Sequence, residues 1–99
     1  MKALKGSQRT YLRGLAHKLR PVVQVGKNGI TEDLIKAVDE ALDSHELIKV
    51  KFVDFKEEKK ALSQEIGERT SSEAVGMIGN IAIFYRQQSN KEKQKIILA

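Results

Sequence analysis

The eleven residues from Pro21 to Thr31, Pro-Val-Val-Gln-Val-Gly-Lys-Asn-Gly-Ile-Thr, constrain the fold of this chain more than any others. Pro21 is the only proline. It biases the residue before it away from the helical region, so a helix arriving from the N-terminal side must stop there. Residues 22–25 then read as a brief strand and Gly26-Lys27-Asn28-Gly29 as a loop. Thr31 reads as the N-cap of a helix with Glu32 and Asp33 in its first turn, where the helix dipole favours acids. A strand that turns through two glycines into a capped helix is a βα unit. Its loop backbone is unshielded by Cβ atoms and lies beside helix N-terminal amides, an arrangement that suits a phosphate.

Charge gives this loop its context. The chain carries a net charge of +5, but residues 1–31 hold +7 and the remainder −2. Lys2, Lys5, Arg9, Arg13, Lys18, Arg20 and Lys27 come before the first carboxylate, Glu32. A basic, acid-free arm leading into a phosphate-seeking loop points toward nucleic acid.

Hydrophobic spacing supplies the other elements. Ser7 is expected to cap a first helix reaching about Lys18, with Leu12, Leu15, Ala16 and Leu19 as its apolar stripe. Lys5, Arg9, Arg13 and His17 form a basic row at four-residue spacing on a partly opposed face. Gly14 weakens that helix by about 1 kcal/mol against Ala, which suggests a close packing contact. The helix after Thr31 has Leu34, Ile35, Val38, Ala41 and Leu42 on one face. Residues 46–53 alternate as a strand, with Ile48, Val50 and Phe52 on one side and Leu47, Lys49, Lys51 and Val53 on the other. A third helix over 56–70 turns Ala61, Leu62 and Ile66 inward. Two strands follow, over 73–78 and 80–86, with Gly79-Asn80 at the turn. Residues 87–99 form a polar, basic tail in which Ile96-Ile97-Leu98 either docks as a short edge strand or frays.

The order α-β-α-β-α-β-β predicts one α/β domain spanning 1–99 with its core at 7–86. Helices would cover a four-stranded mixed sheet in two or three layers. With no cysteine, disulfides and thiolate metal sites are excluded. The longest apolar run, residues 81–85, is far too short to span a bilayer. The expectation is therefore a cytoplasmic, monomeric protein without a cleaved signal, cofactor, metal or small-molecule substrate.

An isolated GxxG tetrapeptide is most often a turn whose glycines supply positive φ. Here the strand before it, the capped helix after it and Lys27 and Asn28 at its tip shift the balance toward phosphate. KH domains clamp RNA backbone with such a loop, an analogy of mechanism rather than of element order. The basic row on the first helix lacks the opposite-sign partners usual on solvated faces, which favours phosphate contact. Lys49 and Lys51 are candidates too, although strand lysines often only discourage aggregation. Catalysis is not expected, because His17 and His45 form no zinc or nucleophile pattern and the loop is not a Walker motif. The aromatic residues Tyr11, Phe52, Phe55, Phe84 and Tyr85 show no sheet-borne stacking pattern, so backbone and shape should dominate recognition.

Three stretches taken together resemble a family. Leu12-Arg13-Gly14-Leu15-Ala16-His17, residues 21–29 and Glu46-Leu47-Ile48-Lys49-Val50-Lys51 look like the CRM domain, named for chloroplast RNA splicing and ribosome maturation. Ile78-Gly79 with Tyr85-Arg86 resembles its closing hairpin, and a single copy of this length is similar to the prokaryotic YhbY proteins. The resemblance implies a fold like the C-terminal domain of bacterial translation initiation factor three. It also implies RNA binding through Gly26, Lys27, Asn28 and Gly29 with the neighbouring helix, and association with precursors of the large ribosomal subunit. Asn80 stands where members often place a basic residue, so no RNA contact is carried over to the hairpin. The rival expectation is a protein-interaction adaptor on ribosomal particles that makes no RNA contact.

Overall fold

The computed structural model describes residues 4–98. Helix α1 (Gly6–Ala16) leads to strand β1 (Val23–Val25), helix α2 (Glu32–His45) and strand β2 (Leu47–Phe52). A 3-10 turn (Lys56–Glu58) opens helix α3 (Lys59–Thr70), which strands β3 (Glu73–Ile78) and β4 (Ile81–Tyr85) follow. A second 3-10 turn, Lys91–Lys93, lies in the tail. The sheet order is β1-β2-β4-β3, with β1 parallel to β2 and the other pairs antiparallel. The expected element order, mixed sheet and four strands are all present.

Strand alternation divides the core in two. Val23, Val25, Ile48, Val50, Phe52, Ala82 and Phe84 pack with Leu34, Val38 and Leu42 of α2 and Ile66 of α3. On the opposite face Leu47, Val75, Ile83 and Tyr85 meet Leu12 and Ala16 of α1, with Leu4 beside them. Three layers result, with α1 alone on one side.

A lone helix cannot cover a four-stranded sheet, and this corrects part of the α1 expectation. Leu15 and Leu19 are 38% and 39% exposed, so the buried stripe is Leu12 and Ala16. Lys5, not Ser7, is the N-cap, and its backbone N–H donates to Gln8 Oε1 at 2.8 Å. The helix ends at Ala16, short of Lys18. Gly14 marks no close contact, because a Cβ there would meet no atom within 4 Å. In α3 the buried residues are Ser63, Ile66, Gly67 and Thr70, Leu62 packs half-buried against the same core as expected, and Ala61 faces solvent.

The tail neither frays nor forms a strand. Ile96 and Leu98 pack against the α1-side core, and the backbone N–H groups of Gln88, Lys95 and Ile96 all donate to the Glu46 carboxylate. Glu46 is 1% exposed and ends α2 at φ 62°, a left-handed position more usual for glycine. Arg86 closes the other side by donating to Asp39 and Asp43 of α2 and to the Thr70 carbonyl of α3.

Tyr85 is fully buried, and its hydroxyl has no hydrogen-bond partner among the described residues. Burial first, and the Glu46 carboxylate second, raise its pKa above the ordinary 10.0. The native state thus holds this proton more tightly than the unfolded chain does. Stability from this source is intact below about pH 10 and is lost as pH rises toward the elevated native value. Tyr85→Phe is expected to raise stability by about 1 kcal/mol at neutral pH by removing an unpaired buried hydroxyl. It should also flatten the loss above about pH 10. Urea titrations at pH 7 and pH 10.5 check both effects, and equal alkaline losses in the two proteins would refute the Tyr85 assignment.

Candidate nucleic-acid interface

The parallel β1–β2 pair sets the geometry of the site. In open α/β sheets ligands collect outside the carboxyl ends of parallel strands, and here those ends carry two different loops. Gly26–Gly29 leaves β1, and residues 53–56 leave β2. The carbonyl of Val25 accepts from both Val53 N (3.0 Å) and Asp54 N (3.1 Å), which fastens the two loops side by side. Phe52 N donates to the Asn80 carbonyl at 2.7 Å, so the β3–β4 turn joins them at the same end.

The GxxG segment closes as a turn through Gly29 N to Gly26 O at 3.0 Å. Gly29 has φ +67° and needs to be glycine. Gly26 shows no such strain, and a Cβ there would meet nothing within 4 Å. Its contribution is open space beside the backbone. Lys27 and Asn28 stand exposed at the tip, over a cleft lined also by Val22, Gln24, Thr31 and Asp33. Thr31 caps α2 as expected, its hydroxyl accepting from Leu34 N at 3.0 Å. That cap occupies one of the first-turn amides and leaves the GxxG turn and the exposed Lys27 as the open donors at this end of the cleft. Of the two first-turn acids, Glu32 is paired with Arg69 at 2.8 Å.

The other expected site residues separate into three groups. Lys51 is exposed on β2 opposite Gln24 of β1, one position before the strand ends, so it belongs to the loop end. Lys49 is half-buried, and its Nζ donates to the Leu19 carbonyl at 3.0 Å, while Lys18 is exposed in the turn after α1. Arg20 instead lines a separate apolar groove with His45, Leu47 and Ile48, toward the other end of β1. His17 is the exposed C-cap of α1, and Lys5 lies at that helix's far end.

Arg9 and Arg13 are corrections to the acid-free basic row. Arg9 pairs with Glu73 at 2.9 Å. Arg13 donates to the Val75 carbonyl at 2.8 Å, where β3 carries a bulge that leaves Val75 outside the ladder. Its side chain also lies over Gly76, where a Cβ would come within 2.5 Å of Arg13 Cδ. These arginines hold α1 to the sheet.

Three residues outside the expected set stand at the loop end. Lys59 Nζ donates to Gly79 O at 2.7 Å and Asn80 Oδ1 at 3.2 Å, so an ammonium group reaches the turn that Asn80 itself leaves uncharged. Lys56 is exposed, with no hydrogen-bond or ion-pair partner among the described residues. Phe55 sits at φ 57° and is 41% exposed, and Cε2 of its ring lies 3.5 Å from where a Gly29 Cβ would be. A bulky residue in that backbone region costs about 1–3 kcal/mol and persists only where its surroundings hold it. The parallel β1–β2 pairing is the signal that would have located Phe55 and Lys56, because it puts the β2 exit beside the glycine loop, while Lys59 follows only from the β2–β4 pairing that brings the hairpin turn there.

Among the described residues no group of acids and histidines could hold a metal ion, and no helix is long and apolar enough to cross a membrane. The site thus defines a three-layer α/β module with a glycine-bounded turn among lysines. Residues 4–86 match the model of the CRS1 / YhbY (CRM) domain, and the chain belongs to that family. A Bacillus subtilis relative named a probable RNA-binding protein, YqeI, is 38% identical over 96% of this chain and 98% of its own length. A Haemophilus influenzae RNA-binding protein is 39% identical over 95% of this chain and 96% of its own. The solution structure of the hypothetical protein SAV1595 from Staphylococcus aureus superposes with a TM-score of 0.79 at 39% identity. It covers 96% of this chain and 100% of its own.

Proposed function

We propose that this protein binds RNA along its sugar–phosphate backbone at the loop end of the sheet, without catalysis. The observation that carries this reading is the gathering of Gly26–Gly29, Lys27, Lys51, Lys56 and the Lys59 ammonium at one end, in a family whose relatives are named for RNA binding. The loop offers backbone amides and a lysine, a combination that grips phosphates without reading base edges. We infer further that the RNA is ribosomal, that it belongs to large-subunit precursors in the cytoplasm, and that the protein assists their assembly as a monomer. The CRM resemblance supports this finer reading.

One observation favours a second reading. Tyr11, Leu15, Leu19, Val22 and Ile97 leave an apolar groove between α1 and the tail, a surface a protein partner could use. Sedimentation of cell lysate through a sucrose gradient separates the two. Direct RNA binding predicts co-migration with large-subunit precursors that disappears after RNase treatment. Persistence on the digested particle proteins would favour the groove and the adaptor role.

A further inference from the structure

We propose that Phe55 is a base-stacking platform of the loop site, receiving the nucleobase attached to the backbone that Gly26–Gly29 holds. The inference rests on the RNA-binding reading above and deepens it. Phe55 lies only three residues beyond Phe52, which is completely buried, yet Phe55 itself stays 41% exposed. The backbone supports this position at a cost, at φ 57°. Both residues before Phe55 are tied to Val25 O, and its own carbonyl accepts from Glu58 N at 3.1 Å. Phe55 belongs to neither core cluster, so the fold holds it in a strained place that the core does not require.

Its neighbour is the residue at which the phosphate loop closes. The ring edge lies against Gly29, with Cε2 and Cζ 3.5 and 3.7 Å from a notional Cβ there. A phosphate held at this turn carries a sugar and base within one nucleotide's reach of that ring. Phenylalanine offers a π-face and no hydrogen-bonding group, so it would accept any base. Lys56, the next residue, supplies charge for the adjoining phosphate. The site then engages both parts of a nucleotide, and it prefers unpaired RNA whose bases are free to leave the stack.

The chain contains no tryptophan, so Phe55→Trp places a single, selectively excitable tryptophan at the proposed platform. That variant and the wild type are titrated at low ionic strength with decauridylate and with an abasic ribose-phosphate chain of equal length. Stacking predicts quenching of Trp by decauridylate and not by the abasic chain. It also predicts that the wild type binds decauridylate about ten-fold more tightly than the abasic chain. Phe55→Leu, which keeps an apolar contact with Gly29, should lose that margin while binding the abasic chain as well as the wild type does. Equal weakening of Phe55→Leu on both chains would make Phe55 a prop for the loop and overturn the proposal. So would an unquenched Trp, or equal wild-type affinity for the two chains, and in those cases the loop remains an RNA site. If the wild type binds neither chain, the RNA-binding reading itself fails and takes the platform with it.

Discussion

Glu46→Gln is expected to destabilise the protein by about 2–4 kcal/mol and to release the C-terminal segment. Oε1 of Glu46 accepts from Lys95 N and Ile96 N, and Oε2 accepts from Gln88 N at 2.8 Å. A carboxylate can serve all of these donors, whereas an amide has one oxygen and must turn its NH2 toward at least one N–H. Hydrogen bonds to a charged acceptor are worth about 1.5–3 kcal/mol each, and their losses are not additive. For a domain of this size the change corresponds to about 10–20 °C in melting temperature. The same substitution loosens Ile96 and Leu98 from the core, so trypsin should cut after Lys91, Lys93 and Lys95 in the folded protein. Thermal melts and timed proteolysis give the answer. A variant that melts within about 2 °C of wild type and keeps its tail protected would show that Glu46 is not the anchor.

The second large effect concerns binding. Replacing Lys27, Lys51 and Lys56 together with alanine is expected to weaken single-stranded RNA binding by about 10- to 100-fold at low salt, uniformly across sequences. With Lys59 included, about four phosphate contacts at the loop end give a wild-type slope of log K against log salt near −2.8. Removing three should bring it to about −0.7. All three lysines are exposed, so the fold should lose no more than about 0.5 kcal/mol. Arg9 and Arg13 are excluded because their guanidinium groups hold Glu73 and the Val75 carbonyl, and replacing them would confuse binding with stability. Filter binding at several salt concentrations measures both quantities. An unchanged slope would mean that the RNA follows a different surface.

How much of this was legible beforehand follows from the range of the interactions. The β3 limits, the Thr31 cap and the α2 core face depend on neighbouring residues, and they match the expectation. Arg9 and Arg13 illustrate the opposite case. Their partners lie 64 and 62 positions away, and nothing within α1 announces Glu73 or a bulge at Val75. The basic row looked free of acid because the acid arrives from another strand. Leu15 and Leu19 have helical spacing, but spacing cannot show how much sheet a single helix covers. A structural hydrogen bond is the natural expectation for Glu46 at a helix-to-strand junction, but its partners lie up to 50 places further on and nothing local identifies them. The loop site itself was half visible. Gly26 to Gly29 declared themselves, while Phe55 and Lys56 became neighbours only once β1 and β2 paired.

The bulge at Val75 also bears on how molecules of this protein meet at high concentration. Strand β3 is an outer strand of the sheet, and six unbroken residues there would template the addition of a strand from another chain. The missing ladder position interrupts that template, and Arg13 occupies the carbonyl it exposes. The other outer strand, β1, is three residues long and follows the proline-directed bend at Pro21. Both margins of the sheet are thereby poor partners for edge-to-edge growth, and the protection comes from the backbone rather than from charge. Arg13 then serves twice, tying α1 to β3 and filling the hydrogen-bonding position that the bulge opens.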